Sequence, residues 1–387
     1  MARILFTFAG GSGHADPLVP IAEAASAAGH KVAFAGGRSG AIVAEEQGFS
    51  VFLASDGAGG APSTIAPLRP LDMEREYAVL RDFYAGVEAS RRADQILELS
   101  ELWRPDLVVC DEVDFGSMVA AERLGLPHAT VLVTAAGSFV RPDVVAEPLR
   151  KLRDQLGLTP GPERAVPHGS LVVSPFPPSF RDPAYPLPPN SISIRSEPVG
   201  VRVPDPARAW GSANSDRATV HLTLGTVFNT ESGDLFERAI SGLRELPVEV
   251  VVTVGRDLDP EMFGPQPANV HIERFIPQSS LLPNCDLVVN HGGSGSVIGA
   301  LAHGLPMVVL PMGAGQALNA DRCEQLGVGI TLDAARAGPQ IITTAVTEML
   351  DDADFRFAAE AVRREIAALP GPATVVPLLE QHIVDGG

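Results

Sequence analysis

The feature that most restricts the fold is an alternation of short apolar runs, glycine-containing turns and helix-period segments, which recurs in two separate series along the 387 residues. In the first series RILFTFA (3–9) enters GGSGH, and PLVPIAEAASAAG then carries apolar residues at helical spacing up to Gly29. HKVAFAGG (30–37) reads as the next strand, so the chain opens with a strand–helix–strand unit, which requires a parallel sheet and right-handed crossovers. PDLVVCD (105–111), a helix near 115–124 and LPHATVLV (126–133) continue it. A second series places strands at TVHLTLG (219–225), VEVVVTVG (248–255), NVHIERF (269–275), CDLVVNH (285–291) and PMVVLP (306–311). The expected class is α/β, with two doubly wound, Rossmann-like domains facing each other across a cleft. In such sheets ligands sit beyond the carboxyl ends of the strands.

Between the two series the pattern degrades. Prolines crowd FPPSFRDPAYPLPPN, and residues 195–218 show no period, which reads as an interdomain connection. The expected division is an N-terminal domain over 1–200, a linker over 201–218, a second domain over 219–370 and a C-terminal helix over 371–387, placed to pack back on the first domain. A formal net charge of −18 makes nucleic acid an unfavourable partner, because phosphate backbones require clustered Lys and Arg. Any anionic ligand must be held locally by backbone amides and a few side chains. Cys110, Cys285 and Cys323 are widely spaced without ligand-type spacing, and read as reduced core residues of a cytoplasmic protein. MARILFTFAGG reads as a strand rather than a signal peptide, and no run of about 18 apolar residues exists to cross a bilayer.

The sharpest motif lies at 285–311. A strand ends at His291, Gly292, Gly293 and Gly295 alternate with serines, and a helix starts near Ser296. Glycines let the backbone approach a ligand, and the free amides of a helix start favour an anion, so the segment reads as a diphosphate cradle. A glycine-rich turn with a serine cap is the bland alternative. Further on, GAGQALNADRCEQLG (313–327) opens a helix with Gln316 and Asn319 on one face, suited to sugar hydroxyls or phosphate oxygens, or else merely a polar helix start.

With these segments in view, the half from 219 to 327 resembles the donor-binding half of the family 1 glycosyltransferases, the nucleotide-sugar enzymes of the GT-B fold, and in particular the bacterial enzymes that glycosylate macrolide, polyketide and aromatic antibiotics. The motifs that carry the resemblance are FIPQSSLLPNCD (275–286), HGGSGS (291–296), AL (300–301), GLP (304–306) and QALNA (316–320), with GHADPLVPIA (13–22) at the front. The resemblance implies that His291 and the amides of Gly293, Ser294, Gly295 and Ser296 hold the diphosphate, and that Thr226 adds a hydroxyl. It implies nucleobase contacts from Phe275, Ile276 and Gln278, and sugar contacts from Gln316, Asn319 and the neighbouring Gly315. Two positions depart from the family pattern: Gly299 stands for a ribose-binding Glu, and Gly315 for an Asp. Loss of the first removes an advantage for carriers with a 2′-hydroxyl and points to a thymidine rather than a uridine diphosphate donor; loss of the second fits a deoxy or modified sugar.

At the front, His14 follows a glycine turn at the end of the first strand. An acceptor hydroxyl needs a general base, and imidazole has the right pKa. The resemblance pairs His14 with Asp111 as the catalytic dyad; Asp114 and Asp16 are competitors for that partner role. Direct attack opposite the leaving group inverts the anomeric centre, with electrostatic stabilisation by amides and no metal. DEVD (111–114) and DDAD (351–354) are the only dense carboxylates, and the latter reads as a helix cap. The acceptor site is assigned to loops over 55–90 and 134–150, with Phe83, Tyr84 and Phe139. The expected function is therefore transfer of a deoxysugar or other sugar from a dTDP- or UDP-sugar to a small hydrophobic acceptor, with no cofactor, no stable membrane association, and a homodimer left open. Three rivals remain: a nicotinamide-dependent reductase, drawn from GGSGHA and Arg38; a transferase acting on a membrane lipid carrier; and a catalytically silent nucleotide-sugar binder.

Overall fold

The structure is a computed structural model and describes residues 1–53, 64–158, 169–197 and 217–385. These residues divide into two compact units. One holds 64–73 and 217–367, and the other holds the remainder.

The first unit is built on a sheet of β1 (Arg3–Phe8), β2 (Lys31–Gly36), β3 (Ser50–Leu53), β4 (Leu107–Asp111), β5 (His128–Val131), β6 (Leu171–Ser174) and β7 (Ser191–Ser193), in the order β3-β2-β1-β4-β5-β6-β7. Every pairing is parallel. Parallel strands are covered on both faces, which is why β1 and β4 read as unbroken apolar runs rather than alternating ones. On one face Ile4, Phe6, Phe8, Phe34, Val109 and Val131 pack against Leu18, which caps the helix Val19–Ala27, and against Ile21 and Ala25 within it. Val375, Val376 and Leu379 join the same core, and His30 Nε2 lies 3.1 Å from Glu380, so the helix Val376–Asp385 completes this unit.

The second unit carries β8 (Thr219–Thr223), β9 (Glu249–Thr253), β10 (Val270–Glu273), β11 (Leu287–Asn290), β12 (Met307–Val309) and β13 (Gly329–Thr331), ordered β10-β9-β8-β11-β12-β13 and again parallel. Its core joins Val220, Leu222, Val250, Val252 and Val289 to Phe236 and Ile240 of the helix Leu235–Leu243. Both sheets reverse their strand order once, between β1 and β4 and between β8 and β11. Those reversals are the topological switch points at which doubly wound sheets open a crevice for ligands.

Three expectations change. The proline-rich middle is not simply a connection: it contains the helix Pro142–Gln155 and the strands β6 and β7, which extend the first sheet. Its prolines sit at a helix start (Pro142), inside that helix (Pro148) and in a short helical turn (Pro178), outside the strands, and they break the pattern that would mark β6 and β7. Residues 64–73, expected in the first domain, belong to the second unit: the Ala66 amide donates to Thr230 O at 2.7 Å, the Gly233 amide donates to Ala66 O at 2.9 Å, and Ile65 and Leu68 pack on its core. Phe83 and Tyr84 lie on no loop, but on a continuous helix formed by Met73–Ala78, a π-helical segment Val79–Glu88 and Ala89–Trp103. Most of the expected linker, 201–216, and the expected acceptor loop over 55–63 lie outside the described residues.

Candidate active site

In the first unit the switch point brings together the turn after β1 and the end of β4. His14 sits on a single helical turn, Ser12–Ala15, and its imidazole rests against the bare backbone of Gly10: a Cβ there would stand 2.1 Å from His14 Cδ2, so no other residue fits without moving the ring. Asp111 ends β4 with no exposed side-chain surface. Its carboxylate accepts the amides of Ala9 at 2.7 Å, Val113 at 2.6 Å and Asp114 at 3.0 Å, which fix it as an anion acceptor of known orientation. The Ala9 bond crosses from β1 to β4, the two strands of the switch point. Asp111 Oδ2 lies 3.3 Å from His14 Nδ1. The pair is close enough for charge attraction, although the ring nitrogen is not aligned as a hydrogen bond. Burial pushes the His14 pKa down, but the Asp111 carboxylate, with Glu112 and Asp114 behind it, outweighs burial and holds it above its ordinary 6.5.

Of the competing carboxylates, Asp114 is engaged elsewhere. It caps the helix Phe115–Leu124, accepts from Ser117 Oγ at 2.7 Å and from Arg92 Nη2 at 2.8 Å, and both ion-pair partners are buried. The Arg92 guanidinium holds the Asp114 carboxyl below its ordinary value against the opposing effect of burial. Glu112, between the two aspartates, points into a different network: its Oε2 accepts the amides of Val133 and Thr134 and the Thr134 hydroxyl, anchoring the turn that follows β5. Phe139, on that turn, is 9% exposed and stacks on Tyr77 with centroids 5.8 Å apart. Phe83 is 49% exposed, and Tyr84 lies parallel to His14 at 6.4 Å between centroids. Arg92 and Glu112 escaped the sequence reading, since their partners are 22 and 21 or 22 residues away and no local pattern ties them together.

In the second unit the switch point brings the turn after β8 to the turn after β11. Gly292 has φ +86°, and a Cβ on it would stand 2.9 Å from Gln316 O, so glycine is required by conformation and by space. The helix Ser294–Ala302 follows, with Gly293 as its cap and Gly295 exposed at its start. The amides of such a first turn have no intrahelical acceptor and face a ligand or solvent. His291 is buried between Gly225 and Gly293, each of which would clash with the ring if it carried a Cβ. Burial pushes its pKa down to about 4, so the unliganded ring is neutral at pH 7 and acts as a neutral hydrogen-bonding group rather than as a counter-charge. Among the described residues its Nδ1 has no hydrogen-bond partner, and neither does the buried Nδ2 of Asn290, whose Oδ1 accepts the Gly292 amide at 2.7 Å. Thr226 is exposed on the opposing turn.

Asn319 and Gln316 are both 4% exposed on the helix Gln316–Gln325. Asn319 Nδ2 donates to Gly292 O at 2.8 Å and to Ser294 Oγ at 3.3 Å, and Gln316 Oε1 accepts the amides of Met312 and Gly313. Asn319 therefore ties the glycine turn to this helix, and Gln316 ties the loop after β12 to the same helix start. Ala314, beside Gly315, adopts φ +50°, a left-handed conformation uncommon for alanine and a local store of strain next to the cradle. Phe275 is 42% exposed, Ile276 is buried, and Gln278 opens the short helix Gln278–Leu281. A Cβ at Gly299 would stand 2.6 Å from Gln278 Oε1, so the Gln278 amide occupies the space above the missing Glu. Arg256, also unforeseen, sets its guanidinium 4.3 Å over the Phe275 ring. Among the described residues no group of three His, Cys, Asp or Glu stands together as a metal cage, and no helix is long and apolar enough to cross a membrane.

Comparison with known proteins bears on this geometry. Residues 237–382 match the family described as erythromycin biosynthesis protein CIII-like, C-terminal domain. The chain is similar to 4'-demethylrebeccamycin synthase of Lentzea aerocolonigenes, with 31% identity over 98% of this chain and 99% of that one. It is also similar to the TDP-daunosamine transferase DnrS of Streptomyces peucetius, with 30% identity over 77% of this chain and 73% of the relative. Among solved structures, the glycosyltransferase SnogD of Streptomyces nogalater superposes with a TM-score of 0.76 at 28% identity, covering 100% of this chain and 99% of SnogD. The nicotinamide reductase and the silent binder find no support in these relatives. A histidine–carboxylate pair at one switch point, an amide cradle at the other, and near-complete alignment with antibiotic-tailoring transferases together place the chain in the family 1 glycosyltransferases of GT-B fold, its residues 237–382 forming an erythromycin-CIII-like C-terminal domain.

Proposed function

We propose that the protein transfers a sugar from a thymidine diphosphate carrier to a hydroxyl of a small hydrophobic natural-product acceptor, inverting the anomeric centre without a metal. The observation that carries the reading is the His14–Asp111 pair: a carboxylate fixed by three amides lies 3.3 Å from Nδ1 and leaves Nε2 to take the acceptor proton. The acceptor oxygen forms the new bond to the anomeric carbon as the bond to the diphosphate breaks. The proton passes to Nε2, and Asp111 stabilises the imidazolium. The amides of Ser294, Gly295 and Ser296, with a neutral His291 and Thr226, receive the charge that develops on the departing diphosphate. Phe275, Ile276 and Gln278 take the base. Two things support thymidine over uridine: Gly299 offers no carboxylate to a ribose 2′-hydroxyl, with the Gln278 amide standing in its space, and a relative is named as a TDP-sugar transferase.

The test uses dTDP-glucose and UDP-glucose as donors and alizarin, a planar diphenol, as acceptor. Turnover is expected to favour the thymidine carrier, and a clear preference for uridine overturns that part. His14→Ala should lower transfer by about 100-fold or more while leaving dTDP affinity unchanged. Retained transfer removes His14 as the base.

A further inference from the structure

We infer that Tyr84 is a positioning residue for His14: its ring lies alongside the imidazole and restricts its rotation, so that Nε2 stays turned toward the acceptor hydroxyl. The inference rests on the reading of His14 as the base. The Asp111 contact alone does not fix the imidazole, because Nδ1 and Oδ2 are 3.3 Å apart and not aligned as a hydrogen bond. Something else must limit the ring. Gly10 supplies one support, since three imidazole atoms lie within 2.5 Å of where its Cβ would be. Tyr84 supplies the second: the two ring planes differ by 13° with centroids 6.4 Å apart, within the range of offset stacking.

Tyr84 is itself braced. Phe83 meets its ring edge-on at 5.2 Å and 86°. Both stand on the π-helical segment Val79–Glu88, whose following residue, Ala89, donates its amide back to Tyr84 O, and Ala85 and Glu88 anchor the segment in the interior. π-helical winding is rare and is found frequently at functional sites, and here it extends over ten residues. The acidic groups that bear on the two rings are Asp111 at the end of β4, Glu112 and Asp114 just after it, and Glu88 from the helix, with Arg92 paired to Asp114. Burial, Asp111 and Glu88 keep the Tyr84 phenol above its ordinary pKa, so it stays neutral.

The experiment measures transfer from dTDP-glucose to alizarin for Tyr84→Ala, Tyr84→Leu and Tyr84→Phe, with His14→Ala beside them. Tyr84→Ala and Tyr84→Leu should lower kcat by about 10- to 100-fold, with the alizarin KM held within about threefold, while Tyr84→Phe stays close to the parent enzyme. Tyr84→Leu keeps apolar volume and decides the matter if the alanine variant folds poorly. A raised alizarin KM with kcat preserved makes Tyr84 an acceptor contact and overturns the inference. Damage by Tyr84→Phe equal to that by Tyr84→Leu assigns the effect to the hydroxyl and also overturns it. An active His14→Ala sinks the base reading itself, whereas an inactive His14→Ala beside an unimpaired Tyr84→Leu sinks only the positioning role.

Discussion

Asp111 acts on His14 in two ways that a single substitution separates. Its charge raises the imidazole pKa against burial, and its fixed position gives the imidazolium an anionic neighbour. A base must be neutral to accept a proton, so kcat/KM should rise with pH through a value above 6.5. Asp111→Asn removes the charge, and burial then acts against a weaker opposition from Glu112 and Asp114. The rising limb should move to lower pH, and the plateau should fall by about 100-fold as the imidazolium loses its partner. A pH–rate profile of the variant checks both, and an unmoved limb removes Asp111 as the group that tunes His14. The proximity of His14 and Asp111 was legible because each ends or follows a strand that is an apolar run in the sequence, while their pairing as a dyad came from the family resemblance. Tyr84 was expected only as an acceptor contact on a loop: its contact with His14 spans 70 positions and depends on helical winding that no local pattern encodes.

Among the elements, legibility followed burial and sequence context rather than length. β1, β4 and β11 are buried and appear as apolar runs, and β8 is buried throughout although Thr and His alternate with its apolar residues. β3, β6, β7 and β13 were not foreseen: β3, β7 and β13 are partly buried edge strands, and β6 and β7 are set among prolines, whereas the equally short β5, β10, β11 and β12 were read. The HGGSGS turn was readable as an anion cradle, but the brace behind it was not. Asn319, expected near the sugar, gives both amide hydrogen bonds to the turn itself. Asn319→Ala should leave the buried Gly292 carbonyl without its side-chain donor, a loss of about 1–3 kcal/mol, and so weaken dTDP binding by roughly 10-fold. Calorimetry with dTDP and with dTDP-glucose separates the roles. A brace weakens both ligands alike, while a direct sugar contact spares dTDP and weakens only the sugar nucleotide; the second outcome would return Asn319 to the sugar site.

The two units carry histidines whose titration runs in opposite directions. In the second, His221 and His291 are buried and neutral, each pushed down to about 4 by burial; His221 lies on β8 with Nε2 3.0 Å from Thr253 Oγ1 on β9. In the unfolded chain the same rings titrate near 6.5. Between pH 6.5 and about 4 the unfolded state therefore binds more protons than the folded state, and stability is lost as pH falls through that window. The slope is at most about 1.4 kcal/mol per pH unit per histidine. His14 in the first unit has a raised pKa, so its contribution is present below 6.5 and is lost as pH rises. Acid should thus weaken the second unit selectively. In calorimetric scans at pH 7 and pH 5, the transition that dTDP moves to higher temperature should be the one that falls more on acidification, since a ligand stabilises only the unit that binds it. His221→Gln should lower that transition at pH 7 by removing a buried ring, yet reduce its dependence on pH, because one of three histidines with lowered pKa values, His221, His291 and His303, is gone. An unchanged pH dependence in the variant would show that the acid sensitivity of this unit comes from carboxylates rather than from its buried imidazoles.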